Sequence, residues 1–304
     1  MSGRLDQPDR IMKKSPVPVL SSVRDAYAFL FANWRPILMS GLPYTAAYIL
    51  WLGLAYGTPD GARGGLGLVL TILVSLGSIA LSAAALRLAV RGERAGPLGL
   101  QLGRDELRLL IVSLLVFLLA GIVFILVYLF WGVLALSVAG GALERAGIDA
   151  EAAGLDMMQA GAYLTASDWT IIGLAGAACT AILLWLLARL TLALPASFAV
   201  QKVQVMKAWP LSDGNGWRIA LCLVLAGLPV MAIELALYET LSGLAGGRLL
   251  DVAARYGQDA GGGLPGALRL REYQTWLGVF SALNLPIFAG LYAAIYRNRA
   301  PTEG

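Results

Sequence analysis

The fold is decided by residues 109–139, which read LLIVSLLVFLLAGIVFILVYLFWGVLALSVA. The segment contains no charged residue, and about 20 apolar residues already carry a helix across a hydrocarbon core of roughly 30 Å. Because the run is longer than that, we expect its helix to tilt or to project beyond the bilayer. This segment alone predicts a membrane-spanning helix.

The composition of the whole chain indicates the same class of protein. Apolar residues make up 58% of the 304 residues, and charged residues make up 14%, against about 25% in soluble proteins. The mean hydropathy is +0.72. A soluble globule of this size needs more charged residues on its surface than this chain contains. We therefore predict an all-α, polytopic membrane protein.

Six stretches are long and apolar enough to cross a bilayer. The predicted spans cover residues 36–56, 66–90, 109–139, 169–193, 218–238 and 275–296. We expect one transmembrane domain over residues 19–299, between a disordered cytoplasmic tail at 1–18 and a short cytoplasmic tail at 300–304. The polar N-terminus contains no secretory apolar core, which predicts no cleaved targeting segment.

Lysine and arginine are distributed unevenly between alternate loops. If the N-terminus is cytoplasmic, 17 of the 23 basic residues fall on the cytoplasmic side, including every lysine. Positive residues in short loops set the orientation of insertion, so we predict that both termini are cytoplasmic. The net charge of +4 is then an imbalance across the membrane and does not indicate a nucleic-acid partner. The basic inner surface suits anionic lipid headgroups.

The chain indicates three copies of one unit, an interfacial arm followed by a helical hairpin. Before the first span, apolar residues recur with helical periodicity, Ser22 is the predicted N-cap, and the segment ends at Trp34-Arg35. Before the fifth span, Trp209 and Trp217-Arg218 form a similar entry. A shorter counterpart, which ends at Arg108, precedes the third span.

Two further similarities favour this repeat. Gly41-Leu42-Pro43 of the first span returns as Gly227-Leu228-Pro229 in the fifth, and the even-numbered spans end alike at Arg87, Arg189 and Arg297. The alternative is that tryptophan and arginine at membrane entries belong to the general aromatic and positive belt.

A resemblance to a known family rests on a motif in the second half of the chain. The motif consists of Arg189-Leu190, Leu194-Pro195-Ala196, Trp209, Gly214-Asn215 and Trp217-Arg218. It resembles the YciC-like bacterial inner-membrane proteins and the membrane domain fused to some glycerophosphodiester phosphodiesterases. The resemblance implies a six-helix bacterial inner-membrane protein and brings no defined catalytic residues. Hydrolytic activity is not implied, because the soluble phosphodiesterase domain is absent here.

The sequence lacks the residues of several kinds of active site. It contains no histidine, which excludes His-based triads, His metal sites and imidazole proton relays. Cys179 and Cys222 lie in apolar runs, which predicts buried free thiols. We therefore predict no catalytic residue, cofactor or metal ligand. The candidates for contact with lipid or a partner are aromatic and basic residues near the predicted inner ends of spans, namely Trp34, Arg35, Arg108, Arg189, Trp209, Trp217 and Arg218.

Two polar side chains inside predicted spans are also candidates, because polar groups there are costly. Glu234 lies near the outer end of the fifth span, where it is either solvated at the interface or part of an inward-facing site. Asn284 lies two residues before Pro286 in the sixth span. The structural interpretation is that Asn284 bonds the carbonyl released by the proline; the functional one is a broken helix that lines a substrate pocket.

Two classes of function remain. The predicted function is a non-catalytic membrane component, either a scaffold, an accessory subunit or an assembly factor, that contacts anionic lipid and a membrane protein or a second copy of itself. Missing catalytic sets, the arms and small-residue helix faces around Thr71, Gly173 and Gly278 favour it. The alternative is a transporter or lipid-handling protein with a site near the broken sixth span.

Overall fold

The computed structural model describes residues 16–57, 65–94, 96–101, 103–148, 161–244 and 265–299. Within these ranges the chain is helical and forms no strand. The helices are α1 Val19–Ala32, α2 Trp34–Gly57, α3 Gly65–Arg91, α4 Arg104–Arg145, α5 Ala166–Leu190, α6 Ala193–Val200, α7 Ala208–Ser212, α8 Gly216–Leu244 and α9 Pro265–Arg299. Short 3-10 turns lie at Pro97–Gly99, Gly161–Tyr163 and Val205–Lys207.

Within the described ranges, six helices are long and apolar enough to cross a membrane, which confirms the predicted fold class. They run over Trp34–Leu54, Gly65–Arg91, Arg104–Arg145, Ala166–Val200, Gly216–Leu244 and Glu272–Arg299. The third begins before the apolar run because the Glu106 carboxylate accepts the backbone N–H of Gly103 at 2.9 Å and caps the helix. Its 42 residues make α4 about 63 Å long, well beyond the thickness of the hydrocarbon core.

The long helices pair as three hairpins, α2 with α3, α4 with α5, and α8 with α9. Each hairpin follows an arm: α1 for the first, the Pro97–Gly99 turn for the second and residues 205–212 for the third. Each arm packs on a hairpin other than the one that it precedes, and no two arms share the same hairpin. The first arm contacts α8 and α9, the second contacts α2, and the third contacts α5. The order of arm and hairpin matches the predicted units, but the predicted second arm is wrong in its extent, because Arg108, its predicted end, lies within α4.

Both ends of the described chain lie at the same end of the bundle, which we call the terminal side. The backbone N–H of Val17 donates to Oδ1 of Asn215 at 2.9 Å, and Nε of Arg299 donates to the carbonyl of Leu211 at 2.8 Å. Val17 is buried, so the predicted tail ends before residue 18, and residues 1–15 and 300–304 lie outside the described ranges. Large fully buried side chains of this region include Phe198, Leu192, Ile219 and Ile295.

The six spans differ strongly in how much of their surface the bundle covers. The apolar window of the last span is 56% buried, whereas that of α4 is 6% buried. The central helix α9 contacts α1, α2, α3, α6 and α8. It approaches α2 closely at Gly278, where a Cβ atom would overlap the ring of Tyr48. Small residues allow this approach, as is usual between transmembrane helices.

Three local predictions are wrong. Ser22 does not cap α1: the helix already begins at Val19 after Pro18, and the buried Ser22 hydroxyl donates to the carbonyl of Pro18 at 2.8 Å. The sixth span is not broken, because α9 continues through Pro286. Neighbouring helices and polar side chains make such prolines tolerable within a transmembrane helix. The side chain of Asn284 bonds across to α8 and does not bond a carbonyl of its own helix.

Candidate functional site

An arginine and two tryptophans meet on the terminal side. The guanidinium carbon of Arg189, in the last turn of α5, lies 4.6 Å from the ring centroid of Trp185 and 4.6 Å from that of Trp209. The two indoles are nearly perpendicular, at 82°, with centroids 6.4 Å apart. Arg189 therefore lies in a corner between two rings, an arrangement that favours a cation. We call these three residues the Trp–Arg–Trp corner.

Local sequence explains how the corner forms. Trp185 precedes Arg189 by four residues, so both side chains lie on one face of α5. The start of α8 is a glycine at the point of contact: a Cβ on Gly216 would lie 2.6 Å from Nε1 of Trp185. Trp209 comes from α7 of the third arm and remains 46% exposed. The corner is thus assembled from the end of the second hairpin and the entry to the third.

Arg189 is enclosed yet lacks hydrogen-bond acceptors. It is only 9% exposed, and its Nε atom is buried without a partner. The closest carboxylate, that of Asp213, lies 3.8 Å from Nη2, beyond the hydrogen-bond range of about 2.7–3.2 Å. Among the described residues no group accepts a hydrogen bond from Arg189. Burying a guanidinium with unused donors is costly unless another acceptor is supplied.

The two arginines at matching places in the other hairpins are paired. Arg87, near the end of α3, forms a close ion pair with Glu106 of α4. Arg297, near the end of α9, donates through Nη1 to the carbonyl of Ala89 at 2.7 Å. Of the three arginines that end the even-numbered spans, Arg189 alone has no hydrogen-bond acceptor within the described residues.

The predicted lipid contact Arg108 belongs to a network of ion pairs that joins α3 to α4. Its Nη1 lies 2.6 Å from Oδ1 of Asp105, and Nη1 of Arg91 lies 2.9 Å from Oδ2 of the same carboxylate. The adjacent pair is buried, with Arg87 3% and Glu106 5% exposed. The sequence-based prediction missed this network. One signal was present, since Arg87 and Arg91 are four residues apart and therefore share a helix face.

Four other predicted interface residues lie at the starts of spans and are exposed. Trp34 and Arg35 begin α2, with the Arg35 guanidinium 5.2 Å from the Trp34 ring centroid. Trp217 and Arg218 follow Gly216 at the start of α8. The indole of Trp34 is 50% exposed and that of Trp217 is 59% exposed. The structure therefore places these side chains at the surface of the terminal side.

The two polar candidates within the spans come together. Nδ2 of Asn284 donates to Oε1 of Glu234 at 3.5 Å, a long contact that links α9 to α8. Both residues are half-buried, and Oδ1 of Asn284 is enclosed without a partner. The sequence indicated each residue separately and gave no sign of their contact, which depends on how the two helices rotate against each other.

The two cysteines and the acidic side chains are the other groups that could react or bind a metal ion. Cys179 and Cys222 are free and buried, which confirms the prediction for both thiols. Within the ranges that the structure describes, no group of three or more acidic or cysteine side chains is arranged to hold a metal ion.

The spans define a class of protein, a multi-pass integral membrane protein. Comparison of the chain with protein-family models, with curated proteins and with solved structures gave no match. The resemblance to the YciC-like proteins therefore stays a prediction that rests on the motif between Arg189 and Arg218.

Proposed function

We propose that the protein is a non-catalytic component of a bacterial inner membrane, a scaffold, accessory subunit or assembly factor, with both termini in the cytoplasm. It binds another membrane protein laterally through α4 and anionic lipid through the terminal side. The proposal is supported by the exposed surface of α4, by the basic and aromatic residues of the terminal side and by the absence of histidine from the sequence.

The surface of α4 carries this proposal. The helix has the highest mean hydropathy of the six spans, 3.3, and the smallest buried share. A groove of about 740 Å³ lies between α4 and α5, and its lining includes Phe117, Gly121, Ile125, Thr180 and Leu187. A Cβ atom added at Gly121 would meet nothing within 4 Å, so the backbone of α4 is accessible to a further helix at that point. Close approach at small residues is how transmembrane helices associate, which favours a helix of another protein as the occupant.

Site-specific photo-cross-linking in intact membranes tests the lateral contact. A photoreactive amino acid replaces Phe117, which is 72% exposed in the groove, and in a matched control it replaces Leu50, which is 63% exposed on α2. We expect a discrete cross-linked protein band from position 117 and none from position 50. If both positions label only lipid, the scaffold proposal is wrong.

The contact of Glu234 with Asn284 favours a second candidate, a transporter or lipid-handling protein. The Glu234 carboxylate and the Asn284 amide oxygen lie in two adjoining spans, and the amide oxygen has no partner. Both groups are hydrogen-bond acceptors for a solute or for a lipid headgroup. Mass spectrometry of the protein purified in mild detergent distinguishes the two functions. A bound solute that Asn284→Ala and Glu234→Gln both lose would support the transporter. If both variants match wild type in bound molecules and change only modestly in stability, the scaffold is supported.

A further inference from the structure

We propose that the Trp–Arg–Trp corner binds the phosphate group of an anionic phospholipid, with Arg189 as its ligand. The inference rests on the proposed contact of the terminal side with lipid and assigns that contact to one site. Its first support is the set of unused donors on Arg189. An arginine carries five N–H donors in a planar fork that matches two oxygens of a phosphate.

The arrangement of the guanidinium leaves an approach for such a ligand. Nε is fully enclosed and has no hydrogen-bond partner. The two Nη atoms also lack a hydrogen-bond partner but are not fully enclosed, so they are the atoms that a ligand reaches. Asp213 lies near this end, but it is 3.8 Å from Nη2 and its side chain is 49% exposed. A half-exposed carboxylate at that distance neutralises part of the charge and leaves the hydrogen bonds of Arg189 unmade.

The comparison between hairpins indicates that the open donors are specific to this position. At the matching place in the first hairpin, Glu106 forms a buried ion pair with Arg87. In the third hairpin a backbone carbonyl accepts from Arg297. Packing of an arm against a hairpin therefore does not by itself leave an arginine without acceptors, and Arg189 differs because the acceptor is missing from the described protein.

The surroundings favour a lipid phosphate over another anion. Lys207, within the third arm, and Arg218, near the start of α8, are exposed and add positive charge around the corner. Trp209 and Trp217 present half-exposed indoles, which concentrate at the depth of lipid headgroups. Positive charges near the cytoplasmic surface also attract anionic lipid electrostatically.

Lipid binding to the full-length protein in detergent tests the proposal. Native mass spectrometry follows the titration of short-chain phosphatidylglycerol, with phosphatidylcholine and inorganic phosphate as separate arms. We expect saturable binding of phosphatidylglycerol that Arg189→Gln weakens about tenfold, the effect of one lost charge-assisted hydrogen bond. Arg24→Gln, which removes an exposed charge from α1, is the matched control and leaves the affinity unchanged.

A second variant keeps the test valid if Arg189→Gln fails to fold. Asp213→Asn removes the carboxylate nearest to Arg189 while keeping its size, so binding of phosphatidylglycerol becomes several-fold tighter. Equal losses in Arg189→Gln and Arg24→Gln, or unchanged binding in Asp213→Asn, would overturn the proposal.

If inorganic phosphate displaces the lipid at equal concentration, or phosphatidylcholine binds as well, the assignment to anionic lipid is wrong. Cross-linking from position 117 does not depend on Arg189, so it still reports separately on the scaffold function.

Discussion

Val17 and Asn215 lie 198 residues apart in the chain and are joined by a hydrogen bond of 2.9 Å between the backbone N–H of Val17 and Oδ1 of Asn215. Both residues are buried. The bond fastens the segment before α1 to the junction between α7 and α8, so the first and third arms meet at one point. Gly214-Asn215 is part of the motif behind the family resemblance, and the structure gives its asparagine a role in joining the arms.

Asn215→Ala is expected to destabilise the protein. The substitution leaves the buried N–H of Val17 without an acceptor and removes the bond from Nδ2 to the carbonyl of Asp213, 3.3 Å long. We expect the free energy of unfolding to fall by about 1–3 kcal/mol. Unfolding by sodium dodecyl sulfate in mixed micelles measures the change. Asn298→Ala, at an exposed position near the end of α9, is the control and shifts stability by less than about 0.5 kcal/mol. Equal effects of both variants would contradict the role of Asn215.

The six spans were predictable because a bilayer requires long apolar runs, and local composition reports such runs directly. The first and last residues of the spans were less predictable. Glu106 caps α4 ahead of the apolar run, and α6 continues the fourth span to Val200. Whether a helix ends at the membrane surface depends on caps and on packing beyond it, which hydropathy does not report.

The candidate sites were predictable as residues and not as constellations. Arg189 and Trp209 were both indicated by their places at membrane entries, as were Glu234 and Asn284 by their polarity within spans. Their contacts depend on the rotation of each helix about its axis and on the path of the third arm. The sequence-based prediction missed Trp185, although its spacing of four residues from Arg189 places both side chains on the same helix face.

The buried ion pair between Arg87 and Glu106 gives a prediction about stability. Glu106→Leu leaves Arg87 buried without its closest partner and removes the cap on the Gly103 N–H, so we expect a loss of about 3–5 kcal/mol. The double variant Arg87→Met with Glu106→Leu removes both charges and is expected to lose less than Glu106→Leu alone. Thermal unfolding in detergent measures this order. Losses that simply add in the double variant would show that the pair is not coupled.

Tyr27 of α1 secures the arm to the third hairpin. Its hydroxyl donates to the carbonyl of Ala226 at 2.7 Å, three residues before Pro229 of α8. The bond joins the first arm to α8 over 199 residues of chain. We expect Tyr27→Phe to lower the free energy of unfolding by about 1 kcal/mol.

The same bond predicts a dependence on pH. Burial raises the pKa of Tyr27, so the unfolded chain loses the tyrosine proton at lower pH than the folded protein does. The contribution of the hydroxyl is therefore complete below the unfolded pKa of about 10 and declines as the pH rises through the folded pKa. The stability difference between wild type and Tyr27→Phe should shrink in that alkaline range. A difference that stays constant from neutral to strongly alkaline pH would contradict this prediction.

The contact of Gly278 with Tyr48 predicts opposite effects for two glycines that the sequence presents alike. A methyl group at Gly278 would overlap the Tyr48 ring, so Gly278→Ala must part α9 from α2 and is expected to cost about 1–3 kcal/mol. A methyl group at Gly173 of α5 would meet nothing within 4 Å, so Gly173→Ala gains up to about 1 kcal/mol of helix propensity. Unfolding of the purified variants in mixed micelles gives both values. Combining Gly278→Ala with Tyr48→Ala should cost less than the sum of the single losses, because the overlap is then removed. If Gly278→Ala is as stable as Gly173→Ala, the close approach of α2 and α9 at this point is wrong.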